Sequence, residues 1–191
     1  MNRLYFGIDP GLDGAVALIT DMHNAPILFD MPTLTIEGTR TIMTRSGTRK
    51  KKAHRLLNIP MIVGHFKSRL MDFMGDNGRA IVTLEKVVAM PRQNSQGQDV
   101  KMGAVSMINY GINYGILLGI LTTLAIPFTE VHPASWKAKL LRDMPKGKGS
   151  SILRAKQLYP SADITLKKHE ARAEALLIAH YGMMLEKGGF A

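Results

Sequence analysis

An α/β protein is expected, with a mixed sheet that opens on an antiparallel hairpin, continues in parallel strands and is flanked by helices. Three features of the chain lead to it. Two short β-rich apolar runs near the N-terminus are joined by a tight Pro-Gly turn, helical and strand-like segments then alternate, and three helical segments close the chain.

The first run, Leu4-Tyr5-Phe6-Gly7-Ile8-Asp9, stops at Pro10-Gly11, and Asp13-Gly14 leads into Ala15-Val16-Ala17-Leu18-Ile19-Thr20, so two hairpin-connected strands are expected. A third strand follows Pro26 as Ile27-Leu28-Phe29-Asp30. Residues 32–52 are polar, Thr-rich and basic without a clear period, and they read as a loop. Helical spacing returns at Leu57, Met61, Ile62, Phe66, Leu70 and Phe73, with Pro60 marking the start of the helix and Gly75-Asp76-Asn77-Gly78 its end. Ala80-Ile81-Val82-Thr83-Leu84-Glu85 is a strand, and residues 126–131 form another. Residues 136–141, 151–158 and 168–186 read as the closing helices, the middle one capped by Ser150 or Ser151. One domain over residues 1–191 is expected, with a flexible basic loop at about 33–55.

Between the second pair of strands, residues 103–128 carry no charge, and Gly111, Gly115 and Gly119 repeat at the spacing of closely packed helices. The length suits a membrane span, but Asn109, Asn113, Thr122 and Thr123 interrupt it and charged strand-like segments flank it. The segment is read as a buried central helix, and no membrane association is expected.

Lys and Arg outnumber Asp and Glu by 25 to 15, a formal charge of +10, and the excess is clustered, which points to a polyanionic partner. Cysteine is absent, so disulfides, thiolate ligands and cysteine nucleophiles are excluded, and a metal would have to be held by oxygen or imidazole. Oxygen ligands suit Mg²⁺ or Mn²⁺. The N-terminal residues lack a signal-peptide pattern, and a cytoplasmic setting is expected.

The few acids are placed informatively. Asp9 and Glu85 end predicted strands, where an open sheet presents ligands, and Asp13 reads as turn chemistry before Gly14. Glu170 and Glu174 lie four apart on the last predicted helix and so share a face, with Lys167, Lys168 and Arg172 nearby to relieve their repulsion. Ala173-Glu174-Ala175-Leu176-Leu177 sets Glu174 among small and apolar neighbours suited to packing on a sheet.

Phe6-Gly7-Ile8-Asp9-Pro10-Gly11, Thr83-Leu84-Glu85, the helix around Asn109-Tyr110-Gly111, Val131-His132-Pro133 and His169-Glu170-Ala171-Arg172-Ala173-Glu174 together resemble the RuvC-type Holliday-junction resolvases of the ribonuclease-H-like superfamily, especially phage versions. The pieces occur in the family's order and span most of the chain. The resemblance implies a ribonuclease-H-like fold and a homodimer, with the glycine-bearing helix as interface. It also implies a structure-selective endonuclease that hydrolyses phosphodiesters in four-way junctions or flaps by a two-metal-ion mechanism. On this resemblance Asp9, Glu85, Glu170 and Glu174 hold two Mg²⁺ or Mn²⁺ ions, with His169 as a further catalytic participant. The family spaces its last two ligands by three residues and uses Asp, or His then Asp; here two Glu stand four apart.

DNA contacts are then expected from two basic tracts. The first holds Arg40, Arg45, Arg49, Lys50, Lys51, Lys52 and Arg55; the second includes Lys137, Lys146 and Lys148; Lys101 is a further contact, and the polar stretch after Glu85 places Arg92 or Gln93 at the branch point. Two other readings remain at this level. A non-catalytic branched-DNA-binding module would need the basic tracts alone. An actin-like phosphotransferase shares Gly7-Ile8-Asp9-Pro10-Gly11 but needs a duplicated domain for which this chain is too short.

Overall fold

The computed structural model describes residues 3–21, 25–43, 46–47, 49–73, 78–88, 92–93, 99–100, 103–147 and 149–188. Strand β1 (Arg3–Asp9) turns through Pro10–Gly14 into β2 (Ala15–Thr20), antiparallel to it, and β3 (Ile27–Asp30) pairs antiparallel with β2. Two strands, β4 (Thr33–Met43) and β5 (Arg49–Leu57), precede helix α1 (Ile59–Phe73). Strand β6 (Arg79–Glu85) is followed by the two-residue strands β7 (Arg92–Gln93) and β8 (Asp99–Val100), then α2 (Ala104–Thr123) and β9 (Phe128–Val131). Helices α3 (Pro133–Leu140), α4 (Ser150–Leu158) and α5 (Glu170–Glu186) close the chain.

The main sheet runs β3-β2-β1-β6-β9, with β6 parallel to β1 and β9 parallel to β6. The expected mixed α/β sheet is therefore present. Period-two alternation along β1 sorts its side chains between two cores. Leu4, Phe6 and Ile8 pack with Ile62 and Phe66 of α1 and with Leu117 and Leu121 of α2. Tyr5 packs on the other face with Leu176 and Ala179 of α5 and Trp136 of α3. Asp9 shares the parity of Tyr5 and Gly7, so its Cβ projects toward the α5 layer.

Helix α1 starts where Asn58 accepts a hydrogen bond from the Met61 amide at 3.2 Å, and Pro60 occupies a first-turn position that needs no donor. Helix α4 has Gly149 at its N-cap instead of the expected serine. Ser150 and Ser151 lie inside the first turn, and the Ser150 hydroxyl donates to the carbonyls of Pro145 and Gly147.

Two expectations are corrected. The stretch read as a loop is a two-stranded antiparallel ribbon, β4 with β5, from Thr33 opposite Leu57 to Met43 opposite Arg49, with a register shift between Glu37 and Thr41. A ribbon that stands off the main sheet with Leu34, Ile36 and Leu56 exposed has no buried face to impose an apolar alternation, so its period is invisible in the sequence.

Helix α2, read as buried, covers the sheet only with Asn113, Leu117, Ile120 and Leu121, while Val105, Ile108 and Ile112 are 73%, 61% and 54% exposed. It is long and apolar enough to cross a membrane by length and composition. Uniform apolarity does not say which turns overlie the sheet, because that depends on where α2 is joined to it. Gly111, Gly115 and Gly119 face open space: a Cβ at any of them would meet nothing within 4 Å.

Candidate active site

The close approach of α5 to the sheet is written in two glycines. A Cβ at Gly7 would lie 2.0 Å from the Ala175 carbonyl oxygen and 2.3 Å from the Ala179 nitrogen, and one at Gly182 would lie 1.8 Å from Thr83 Oγ1. Only hydrogen at these positions lets the helix backbone rest on β1 and β6. At its N-terminal end, α5 is clamped to β3 by Arg172, whose Nε and Nη2 donate to the two Asp30 oxygens at 2.7 and 2.9 Å while Nη1 donates to Asp163. Arg172 is thereby turned to the sheet edge, away from the role of relieving Glu170 and Glu174.

This packing brings Asp9, Glu85 and Glu174 together at the carboxyl ends of β1 and β6, with Lys137 of α3 among them. The Lys137 ammonium lies 2.9 Å from Glu174 Oε1 and 5.0 Å from the centroid of the Trp136 ring. Glu85 Oε1 accepts from the indole of the fully buried Trp136 at 2.8 Å, and Glu174 Oε1 accepts from Ser151 Oγ at 3.2 Å.

Burial pushes the Asp9 carboxyl well above the usual carboxylate range, and the charges of Glu174 and Glu85 push it further, against a smaller opposing pull from Lys137. Glu85 is also raised, first by burial and then by Glu174, with the Trp136 hydrogen bond and Lys137 working the other way. Burial opposes the charge on Lys137, but Glu174, Glu85 and Asp9 outweigh it and leave its pKa raised. Three carboxylates thus feel one another across a single lysine. Among the described residues, no three Asp, Glu or His side chains stand close enough to enclose one ion.

Glu170 and His169 lie elsewhere. Both Glu170 oxygens accept from the Gly149 amide, at 3.1 and 3.2 Å, placing a carboxylate at the N-terminal end of α4 where the helix dipole favours it. His169 is buried, and its Nδ1 accepts from the Thr165 amide at 3.3 Å.

Of the expected DNA contacts, Arg49 and Lys146 are exposed. Arg55 is committed within the fold: it donates to the Asp13 carboxylate, to the Leu12 carbonyl at 2.6 Å and to Thr33 Oγ1 at 3.3 Å, fastening the foot of the β4–β5 ribbon to the turn after Asp9. Arg40, Lys50, Lys51 and Lys52 lie along β4 and β5, and Arg92 in β7. Arg45, Lys101 and Lys148 lie outside the described residues.

Lys137, which the basic tract assigns to DNA, stands among the acids because α3 follows directly on the end of β9. The signals that bear on this are the single tryptophan of the chain beside it and the strand end Val131-His132-Pro133 just before. The hydrogen bonds Trp136–Glu85 and Ser151–Glu174 carry no such signal, because each joins partners at least 23 residues apart.

No family model matches the sequence, nor does any curated protein. Among solved structures, "T. thermophilus RuvC in complex with Holliday junction substrate" superposes with a TM-score of 0.50 at 14% identity, covering 98% of this chain and 96% of that one. The chain has the fold of a RuvC-type resolvase. A second solved structure, "Thermus thermophilus RuvC structure", shares 16% identity at a TM-score of 0.46 over 98% of this chain and 97% of its own.

Proposed function

We propose that this chain is a structure-selective endonuclease that hydrolyses phosphodiesters in branched DNA, four-way junctions above all, with Asp9, Glu85 and Glu174 as its catalytic carboxylates. The observation that carries this reading is the convergence of those three residues, from three separate elements, on one partly buried position in a basic chain. Burial and the charges of Glu174 and Glu85 raise the pKa of Asp9, a cost that a bound cation would offset. The solved RuvC bound to a Holliday junction supports the choice of substrate through the shared fold.

The donor chemistry suits hard divalent cations: three carboxylates without sulfur, with Lys137 paired to Glu174. Asp9, Glu85 and Glu174 would hold Mg²⁺ or Mn²⁺, two ions per site, with Glu170 and His169, which lie apart from these three, outside the ligand set. When bound, the ions would supply charge neutralisation at the scissile phosphodiester and assist attack by water. Trp136 holds the Glu85 carboxylate in orientation, Ser151 does the same for Glu174, and Lys137 offsets negative charge where phosphate must approach. The cations Arg40, Arg45, Arg49, Lys50, Lys51, Lys52, Arg92, Lys101, Lys146 and Lys148 would contact DNA phosphates, and Arg55 would position the ribbon that carries several of them.

A homodimer completes the proposal, since two sites related by a two-fold axis can cut paired strands of a junction. The outward side of α2, with Val105, Ile108 and Ile112 exposed and three glycines open, is the surface proposed for the contact.

The test is incubation of labelled four-way junction with protein and Mg²⁺. Paired cuts near the branch, lost in Asp9→Asn and Glu174→Gln while junction binding persists, support the reading. Binding without cutting by the unaltered protein would favour a non-catalytic module of the same fold.

A further inference from the structure

The N-terminal half of α2 is arranged the wrong way round for a helix that merely packs. Its apolar residues Val105, Ile108 and Ile112 face solvent, whereas Ser106, Asn109, Tyr110 and Asn113, spaced i, i+3, i+4 and i+7 and hence on one face, line a cavity of about 400 Å³. Burial of apolar surface would favour the opposite orientation. The far wall is the turn from Asp9 to Gly14, and the Tyr110 hydroxyl donates to the Pro10 carbonyl at 3.3 Å, tying the two walls together. The cavity opens directly beside one of the three convergent carboxylates.

Its chemistry limits what can enter. The lining includes Asp9 and Asp13, the second already paired with Arg55, and among the described residues no lysine or arginine, so the cavity offers no free cation to hold a phosphate. Asn109 and Asn113 each bring an amide with donors and an acceptor, Ser106 a hydroxyl and Tyr110 an aromatic ring beside them. That set matches an uncharged heteroaromatic ring edged with donors and acceptors, and the volume lies within the roughly 300–1,000 Å³ that small organic ligands occupy. We infer that this cavity receives a single unstacked base of the substrate strand, adjacent to the phosphodiester presented to Asp9, and that Asn109, with Ser106 and Asn113, selects which base is accepted. The inference rests on the nuclease reading above and adds to it a residue-level origin for a preference among cut sites. Extruding one base costs least at a branch point, where stacking is already interrupted.

Two readouts test it. Four-way junctions carrying 2-aminopurine at successive positions within three nucleotides of the branch are bound in EDTA, so that no cutting occurs. A fluorescence change confined to one position, and reduced in Asn109→Ala, is expected. With Mg²⁺ and a junction whose branch point migrates through many sequences, the unaltered protein should favour certain steps. Asn109→Ala and Ser106→Ala, both at exposed positions and checked for an unchanged melting temperature, should reduce the ratio of preferred to other cuts by about tenfold, the scale of one good base contact. Cutting by the unaltered protein with the same distribution in both variants, or a fluorescence signal absent at every position, overturns the base pocket and leaves the nuclease reading standing. A position-specific signal lost in Asn109→Ala, from a protein that cuts nothing with Mg²⁺, keeps the pocket and overturns the nuclease.

Discussion

The ammonium of Lys137, on α3, sits 2.9 Å from the carboxylate of Glu174, on α5, and feels Glu85 and Asp9 as well. One lysine therefore offsets part of a three-fold negative cluster. Lys137→Met should lower the melting temperature in EDTA by about 3 °C, roughly 1 kcal/mol once the exposure of this pair is allowed for. The rise in melting temperature on adding Mg²⁺ should then exceed that of the unaltered protein, because no fixed cation competes with the added one. Equal shifts in the two proteins would remove Lys137 from the site.

Asp9 has the opposite effect on stability. Its pKa is raised in the folded chain by burial and by Glu174 and Glu85, so the folded state holds a proton that the unfolded state releases once pH passes the ordinary carboxylate range near 4. Stability in EDTA should fall as pH rises from there through the raised value. Asp9→Asn escapes this loss and at pH 7 should melt higher than the unaltered protein, with the difference vanishing below pH 4. Thermal unfolding across pH measures it, and the variant should not cut DNA at any of these values.

Gly7→Ala places a methyl against the backbone of Ala175 and Ala179, which cannot move aside as a flexible side chain would. A cost above about 3 kcal/mol in urea unfolding is expected, with junction cutting reduced as α5 and its Glu174 lift from β1. A change below about 1 kcal/mol would mean that α5 does not rest on β1 in solution.

Junction affinity should fall steeply with salt, with a slope set by the number of phosphates neutralised. Lys50→Ala with Lys52→Ala on β5 should flatten a plot of log affinity against log salt by about 0.9 for each contact removed. An unchanged slope would place the DNA path away from the ribbon.

Ile108→Glu, on the exposed side of α2, should convert a dimer into a monomer in analytical ultracentrifugation without lowering the melting temperature of the monomer. A monomer before substitution would dispose of the proposed contact.

Local pattern in the chain specified much of this protein. The β1–β2 hairpin, β6, β9 and the closing helices follow from turn residues, β-rich runs and helical spacing, all of which act over a few neighbours. The positions of Asp9 and Glu85 at strand ends were legible for the same reason. Tertiary structure alone decided the rest. Whether Glu170 or Glu174 meets Asp9 depends on the angle at which α5 crosses β1, fixed by Gly7, Gly182 and the Arg172–Asp30 clamp. That Lys137 joins the acids instead of the basic surface depends on the placing of α3 against α5. The ribbon β4–β5 and the half-exposed α2 escaped the sequence because neither has one buried face along its whole length, and periodicity records burial and nothing else. The three carboxylates come from segments more than 70 residues apart, and the geometry of their meeting is set by packing that no local pattern encodes.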